Sequence, residues 1–376
     1  IKLINEESLF GLSVDVKGEI YEGLLEKTND SSVKGAGQYF TPRSLISAMV
    51  DVTQPKPSQT IGDPSCGTGG FFLTAHDYID KNNDLNPDEK KSLKEETFHG
   101  WDIVPEVTRL CAMNMYLHGI GSVESQVQNA DSLIGDPGDR FDIIMTNPPF
   151  GKKSTVTIFS EAGKAEKESM SYERDDFWAT TSNKQLNFIQ HIKTILKVNG
   201  KCAVVVPDNV LFEGGDGETV RNKLLEQCNL HTILRLPTGI FYAGGVKANV
   251  LFFDKKPARE DGKPWTEKLW IYDLRTNMHF TQKEKKMTRA DLDDFVTCYN
   301  VKDVSNRKET ERFKAFSYDE IIKRDKTSLD IFWLKDESLI DLENLPEPDV
   351  IAEEISDNLQ SALESVTELI ENLKKK

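Results

Sequence analysis

The residues best suited to chemistry are Asn147-Pro148-Pro149-Phe150, inside the run T-N-P-P-F-G-K-K from Thr146 to Lys153. The apolar stretch Phe141 to Met145 just before them reads as a buried strand, and two prolines cannot continue its ladder. The chain must therefore turn abruptly, presenting one amide, one aromatic ring and backbone carbonyls at the strand's carboxyl edge. In an open α/β sheet that edge is where ligands bind. A Pro-Pro pair can equally do no more than stop a strand, so its company elsewhere in the chain decides.

A second candidate, Asp63-Pro64-Ser65-Cys66-Gly67-Thr68-Gly69-Gly70-Phe71-Phe72, follows the first strand and opens a helix. Glycines there let the backbone turn tightly and approach a ligand closely. The spacing is G-x-G-G, with Phe72 where a dinucleotide-binding motif puts its third glycine, which disfavours a nicotinamide or flavin. Asp102 ends the second strand, where an acid in this topology takes ribose hydroxyls; it could equally cap the helix starting near Pro105. Asp131 ends the third and, taken alone, would pass as a turn residue. Together Asp63, Asp102, Asp131 and Asn147 make a row of polar groups along one edge.

That row needs a sheet to hold it. From Thr60 to Phe253 short apolar strands alternate with helical segments: Thr60–Asp63, Phe98–Trp101, Ser125–Gln128, Phe141–Thr146, Lys201–Val206, Thr232–Leu236 and Val250–Phe253. Such alternation implies a mostly parallel sheet with helices on both faces. Lys81 to Glu96 reads as a charged, solvated excursion, and Gly151 to Lys184 as a long polar loop carrying Tyr172, Phe177 and Trp178, of a length that points to function. A helical lead over residues 1–34 precedes the domain expected over 35–255. An extension over 256–345 follows, with a strand at Leu269–Tyr272 and a helix around Asp291–Cys298. Over 346–376, Ile351, Ile355, Leu359, Leu363, Val366, Ile370 and Leu373 make an amphipathic helix. Its stripe either packs on its own domain or forms a coiled-coil contact with a partner subunit.

Composition narrows the classes further. The chain has 376 residues, 38% hydrophobic and 29% charged, with no apolar run near the roughly 18 residues of a membrane span. No targeting segment is visible, and the start at Ile1 rather than Met is what a sequence lacking its N-terminal portion would show. Five scattered cysteines without C-x-x-C spacing fit a reducing, cytoplasmic setting and no zinc cluster. Neither H-E-x-x-H nor a P-loop occurs, so no metal is expected. A net charge of −15 argues against gripping nucleic acid unaided, because phosphate binding needs clustered Lys and Arg.

D-P-x-C-G-T-G-G-F followed by N-P-P-F resembles S-adenosylmethionine-dependent amino-methyltransferases. Gly37-Gln38-Tyr39-Phe40-Thr41-Pro42-Arg43 narrows the resemblance to the modification (M) subunit of type I restriction-modification systems, which methylate adenine N6 in DNA. Met113 to Gly119, Val206 to Phe212, Leu236 to Phe241 and Asn249 to Phe253 agree with it. Members of that family carry a longer helical domain before this point, of which only the tail is seen here.

The resemblance implies a Rossmann-like methyltransferase fold with a mostly parallel, seven-stranded sheet, and S-adenosylmethionine as cofactor. By it Tyr39, Phe40 and Thr41 face the cofactor, Asp63, Gly67, Thr68 and Gly69 enclose its methionine end, Asp102 holds the ribose and Asp131 the adenine amine. Asn147 and the Pro148 carbonyl, with Pro149 fixing the turn, would accept the two N–H bonds of a flipped-out adenine, and Phe150 would stack on it. The implied partners are double-stranded DNA, a specificity subunit holding two copies of this chain and a restriction subunit, with no membrane. The same Pro-Pro motif also serves RNA and protein-glutamine amino-methyltransferases, and a non-catalytic scaffold is a further alternative.

Overall fold

Near-continuous apolar runs separated by helix-forming segments build one large sheet covered on both faces. The computed structural model describes residues 41–121, 125–150, 155–159, 165–169, 171–241, 246–281 and 285–335. The expected lead over 1–34, Tyr39, Phe40 and the helix over 346–376 lie outside the described residues.

The first half alternates α1 (Arg43–Thr53), β1 (Ile61–Asp63), α2 (Gly70–Asn82), α3 (Pro87–Glu95), β2 (Phe98–Asp102), α4 (Pro105–Leu117), β3 (Val127–Asn129) and β4 (Phe141–Thr146). A hairpin-like pair, β5 (Thr155–Phe159) and β6 (Ala165–Ser169), comes next. Then follow α5 (Lys184–Ile195), β7 (Leu196–Pro207), α6 (Asn209–Phe212), α7 (Asp216–Gln227), β8 (Cys228–Arg235), β9 (Ala248–Lys255), β10 (Lys268–Asp273), α8 (Asp293–Tyr299), β11 (Phe313–Ser317) and α9 (Tyr318–Ile322).

Among the described residues, nine strands form the main sheet in the order β11-β10-β8-β9-β7-β4-β1-β2-β3. The seven strands read from the sequence all lie in it, and β9 and β11 run against the rest. The sheet is therefore mixed but mostly parallel, as expected, and β10 and β11 carry it beyond the seven strands expected and past residue 255.

Alternate residues of the central strands feed two buried layers. Ala203 and Val205 face one with Val250 and Phe252, while Val204 and Val206 face the other with Leu251 and Phe253. A strand buried on both faces must be apolar at every position, which explains the unbroken runs. On the first face Phe252 meets Phe295 and Tyr299 of α8, with ring centroids 5.8 and 5.4 Å apart. The charged stretch before β2 folds as α3 because Asn86 and Glu89 form a capping box around Pro87 in the first turn. Only Leu93 of that helix is buried, so it remains a solvated excursion.

The polar segment after β4 contains β5 and β6, and its later residues are anchored. Tyr172, Phe177 and Phe188 pack with Leu133. Arg174 reaches the Leu133 carbonyl and pairs bidentately with Asp176 at 2.9 and 2.7 Å.

Candidate active site

Strands β1, β2, β3 and β4 are parallel neighbours, so their last residues share one edge of the sheet. The polar residues singled out from the sequence accordingly converge. Asp63 ends β1 and is 1% exposed; its Oδ1 accepts from the Ser65 amide at 3.0 Å. The Ser65 hydroxyl and the Thr146 hydroxyl lie 2.7 Å apart, tying the turn after β1 to the last residue of β4. This bond sets Asn147, the next residue, beside the glycine-rich turn.

Glycine is required in that turn by its backbone. Gly67 and Gly69 have φ of +55° and +83°, a region that L side chains rarely adopt. A Cβ on Gly69 would lie 2.9 Å from the Cys111 Sγ, whereas one on Gly67 would meet no heavy atom of the described residues within 4 Å. The chain thus leaves open space beside Gly67, as a cradle for a bound group would. The Gly67 amide donates to Asp102 Oδ2 at 3.2 Å and the Val104 amide to Oδ1 at 2.8 Å. Asp102 does not cap α4, whose N-cap residue Val104 has no side-chain capping bond. Instead it joins the turn after β1 to the end of β2. Thr68 contributes its carbonyl, which accepts from Asn114 Nδ2 of α4 at 2.9 Å.

Asp131 takes the Leu133 amide on Oδ1 at 3.0 Å and the Tyr172 hydroxyl on Oδ2 at 2.8 Å. It serves as a turn residue and as the anchor of the polar segment. Each carboxylate oxygen offers two lone pairs, so these bonds leave acceptor capacity for a further donor.

Electrostatics set the edge apart. Burial pushes the Asp63 carboxyl up to about 7, against the lowering effect of its bonds from Thr146 and Ser65, and the neighbouring Asp102 adds to the rise. Burial also raises Asp102, partly offset by the Val104 and Gly67 amides. The bond to Cys111, together with burial, raises the Cys66 thiol well above its ordinary range, so this cysteine is a poor nucleophile despite its place in the turn.

At the Pro-Pro turn, Asn147 Nδ2 donates to the Thr41 hydroxyl at 2.8 Å. Thr41 is buried and precedes α1, whose residues 45, 46 and 48–50 are packed into the core. Arg43 at the start of α1 donates to the Gly70 carbonyl at 3.1 Å and to Thr74, fixing α1 against the first turn of α2. Phe150 is half-buried and meets Phe241 edge-on, centroids 5.8 Å apart at 74°. Pro148 and Pro149 hold the backbone between them.

Two features were missed in the sequence. The Thr41 hydroxyl bonds the Asn147 amide, and Phe241 forms a wall beside Phe150. The segment Leu236 to Phe241 follows β8 at the same edge, and that position was the available signal for Phe241. A third element supports this wall from behind: Arg275 pairs bidentately with Asp208 at 2.7 Å on both oxygens and also donates to the Leu236 carbonyl. Burial works against ionising Asp208, yet these bonds outweigh it and hold the carboxyl below its usual range.

Among the described residues no group of three or more His, Cys, Asp or Glu is placed to hold a metal ion, and no helix is long and apolar enough to cross a membrane.

Residues 12–331 match the family model described as N-6 DNA Methylase. The type I restriction enzyme StySPI methylase subunit of Salmonella potsdam is 38% identical over 405 aligned residues, covering 96% of this chain and 73% of that one. The EcoKI methylase subunit of Escherichia coli K12 has the same identity and coverage. The crystal structure of the EcoKI M protein superposes with a TM-score of 0.69 at 36% identity, covering 89% of this chain and 73% of that chain. A class I S-adenosylmethionine-dependent methyltransferase from Listeria monocytogenes shares the fold, with a TM-score of 0.53 at 17% identity.

Proposed function

Because the chain belongs to the N-6 DNA methylase family, among the methylase subunits of type I restriction enzymes, we propose that it methylates adenine N6 of DNA at the edge built by Asn147 and the glycine-rich turn. The observation that carries this assignment of the site is the Ser65–Thr146 bond, which sets the Pro-Pro turn beside that cradle. S-adenosylmethionine supplies, when bound, a sulfonium-activated methyl group. The residues that would hold it fit such a molecule: open space beside Gly67, a buried carboxyl at Asp63 for a cationic amine, and acceptors at Asp102 and Asp131 for ribose hydroxyls and an amino group. Thr41, Thr68 and Gly69 complete the wall, with Tyr39 and Phe40 assigned from the sequence alone.

An adenine amino group is a weak nucleophile because its lone pair is delocalised into the ring. Asn147 and the Pro148 carbonyl accept its two N–H bonds and favour the pyramidal nitrogen on which positive charge develops. Preorganised acceptors of this kind are worth about 3 to 4 kcal/mol when they match a lost oxyanion-hole donor. Pro149 limits the backbone freedom of that carbonyl. Phe150, buttressed by Phe241, gives the base an aromatic wall worth about 1 to 3 kcal/mol. The amino group is out of reach inside a duplex, so the nucleotide must be flipped out at a cost of a few kcal/mol.

The acidic balance supports a division of labour in which a specificity subunit selects the DNA sequence and holds two copies of this chain, and a restriction subunit joins them. A cytoplasmic setting follows from the substrate. The test is transfer of labelled methyl groups to DNA with and without a co-expressed specificity subunit, followed by identification of the modified base. Label in N6-methyladenine only when both subunits are present is the expected result; efficient, sequence-specific transfer by this chain alone would refute the division.

A further inference from the structure

A cavity lies at the edge of the sheet opposite to Asn147 and the glycine-rich turn. It has a volume of about 650 Å3 and is lined by the first residues of β8 and β10, the last of β9, the end of α1 and the segment after α8. That volume falls within the range of small-molecule pockets. Four cations, Lys201, Lys256, Lys268 and Arg307, stand in its walls against two carboxylates, Asp254 and Glu267. A local cationic surplus is notable in a chain of net charge −15.

Arg307 is the telling residue. Its side chain is 8% exposed, lies over the Tyr299 ring at 4.4 Å and donates to neutral oxygens, the Tyr299 carbonyl at 2.6 Å and the Thr232 hydroxyl at 2.9 Å. Its Nη2 is buried with no hydrogen-bond partner among the described residues. A buried guanidinium donor without an acceptor is costly, and with Nε and Nη1 committed it is Nη2 alone that offers a charge-assisted bond to an anionic oxygen. The nearby Asp254 is already engaged by Lys256 at 3.3 Å and by His231 at 3.7 Å. Lys268 is exposed at the start of β10, with its ammonium 5.8 Å from the Trp270 ring centre. Phe252 and Trp270 add an apolar wall.

We propose that this cavity is a second ligand site, separate from the methyl-transfer edge, that takes a small phosphate-bearing molecule with an apolar body, of the nucleotide class. Its phosphate sits among Lys201, Lys268 and Arg307, and its body lies against Phe252 and Trp270. Because the site is at the far edge of the sheet, its ligand and S-adenosylmethionine bind together.

The test titrates the full chain with inorganic phosphate, AMP and ATP, with and without saturating S-adenosylmethionine, following heat and the tryptophan emission of Trp265 and Trp270. The expected result is saturable binding of AMP or ATP that persists with S-adenosylmethionine present. Lys268→Ala and Arg307→Lys should each weaken it by roughly tenfold or more, as expected for one charge-assisted bond, with S-adenosylmethionine affinity unchanged. Lys268 is exposed, so its variant tests the site even if Arg307→Lys fails to fold. Absence of saturable binding, binding abolished by S-adenosylmethionine, or affinity unchanged in Lys268→Ala would overturn the proposal. Saturation by a short DNA duplex but by none of the small anions, lost in Lys268→Ala, would overturn it in favour of a DNA-backbone contact.

Discussion

Asn147 donates its Nδ2 hydrogen to the Thr41 hydroxyl across 2.8 Å, linking residues 106 positions apart in sequence. The bond fixes which way the amide faces, because a side-chain amide that gives its nitrogen to one partner must present its oxygen elsewhere. Thr41 is thereby a positioning residue for the group assigned to hold the adenine amine. Thr41→Val keeps the shape and removes the acceptor, and a neutral hydrogen bond of this kind is worth about 1 kcal/mol. Steady-state kinetics should show kcat reduced about three- to tenfold, with Thr41→Ser close to the parent. A loss confined to S-adenosylmethionine affinity would make Thr41 a cofactor contact and nothing more.

Removing the amide itself has a larger effect. Asn147→Ala should lower methyl transfer by about a hundred- to a thousandfold while leaving calorimetric binding of S-adenosylmethionine intact. Phe241→Ala removes the edge-on support of Phe150, so it should weaken productive DNA binding through the lost stacking geometry and spare cofactor binding. Retained activity in Asn147→Ala would refute the role given to this residue.

The edge should also respond to pH through Asp63. Its carboxyl rises from an ordinary value of 3.8 to about 7 in the fold, so the folded state favours the neutral form. Below the ordinary value both folded and unfolded chains are protonated and nothing is lost. Between there and about pH 7 only the unfolded chain ionises, so ligand-free stability falls as pH rises and levels off above the folded value. A cationic amine bound at Asp63 has the opposite preference and tightens as the carboxylate forms. Calorimetry across pH 6 to 8, a window of about one unit either side of the folded value, should show S-adenosylmethionine affinity rising with pH and proton release falling from close to one per ligand at the acid end toward none at the alkaline end. Asp63→Asn should flatten both dependences, and an unchanged pH profile in that variant would place the titrating group elsewhere.

The strands were legible in the sequence because burial on both faces demands apolar residues without a break, as in the runs Ala203 to Val206 and Val250 to Phe253. β11 was not, since Phe313-Lys314-Ala315-Phe316-Ser317 is a short edge strand whose pattern is diluted by polar residues. The candidate site was legible where each side chain follows its own strand: Asp63, Asp102 and Asn147 announce themselves by position. Contacts across the fold carry no local pattern. Thr41 with Asn147, Ser65 with Thr146 and Phe150 with Phe241 depend on how distant segments meet, which spacing within one segment does not encode.

The glycine-rich turn offers a test that separates cofactor contact from folding. Gly67 and Gly69 both have positive φ, so alanine at either position adds backbone strain of about 1 to 2 kcal/mol. They differ in what the new methyl would meet. At Gly69 it collides with the Cys111 Sγ at 2.9 Å, inside the protein, whereas at Gly67 it meets no heavy atom of the described residues within 4 Å. Gly69→Ala should therefore lose more thermal stability than strain alone explains. Gly67→Ala should lose only the strain, yet bind S-adenosylmethionine at least about tenfold more weakly, because the methyl fills room that the ligand needs. Melting temperatures measured with and without S-adenosylmethionine distinguish the two: the ligand-induced stabilisation should fall by about 1.4 kcal/mol or more in Gly67→Ala, as a tenfold loss of affinity requires. If that variant is stabilised as strongly as the parent, the space beside Gly67 is not where the cofactor lies, and the assignment of Asp63, Thr68 and Gly69 to its methionine end falls with it.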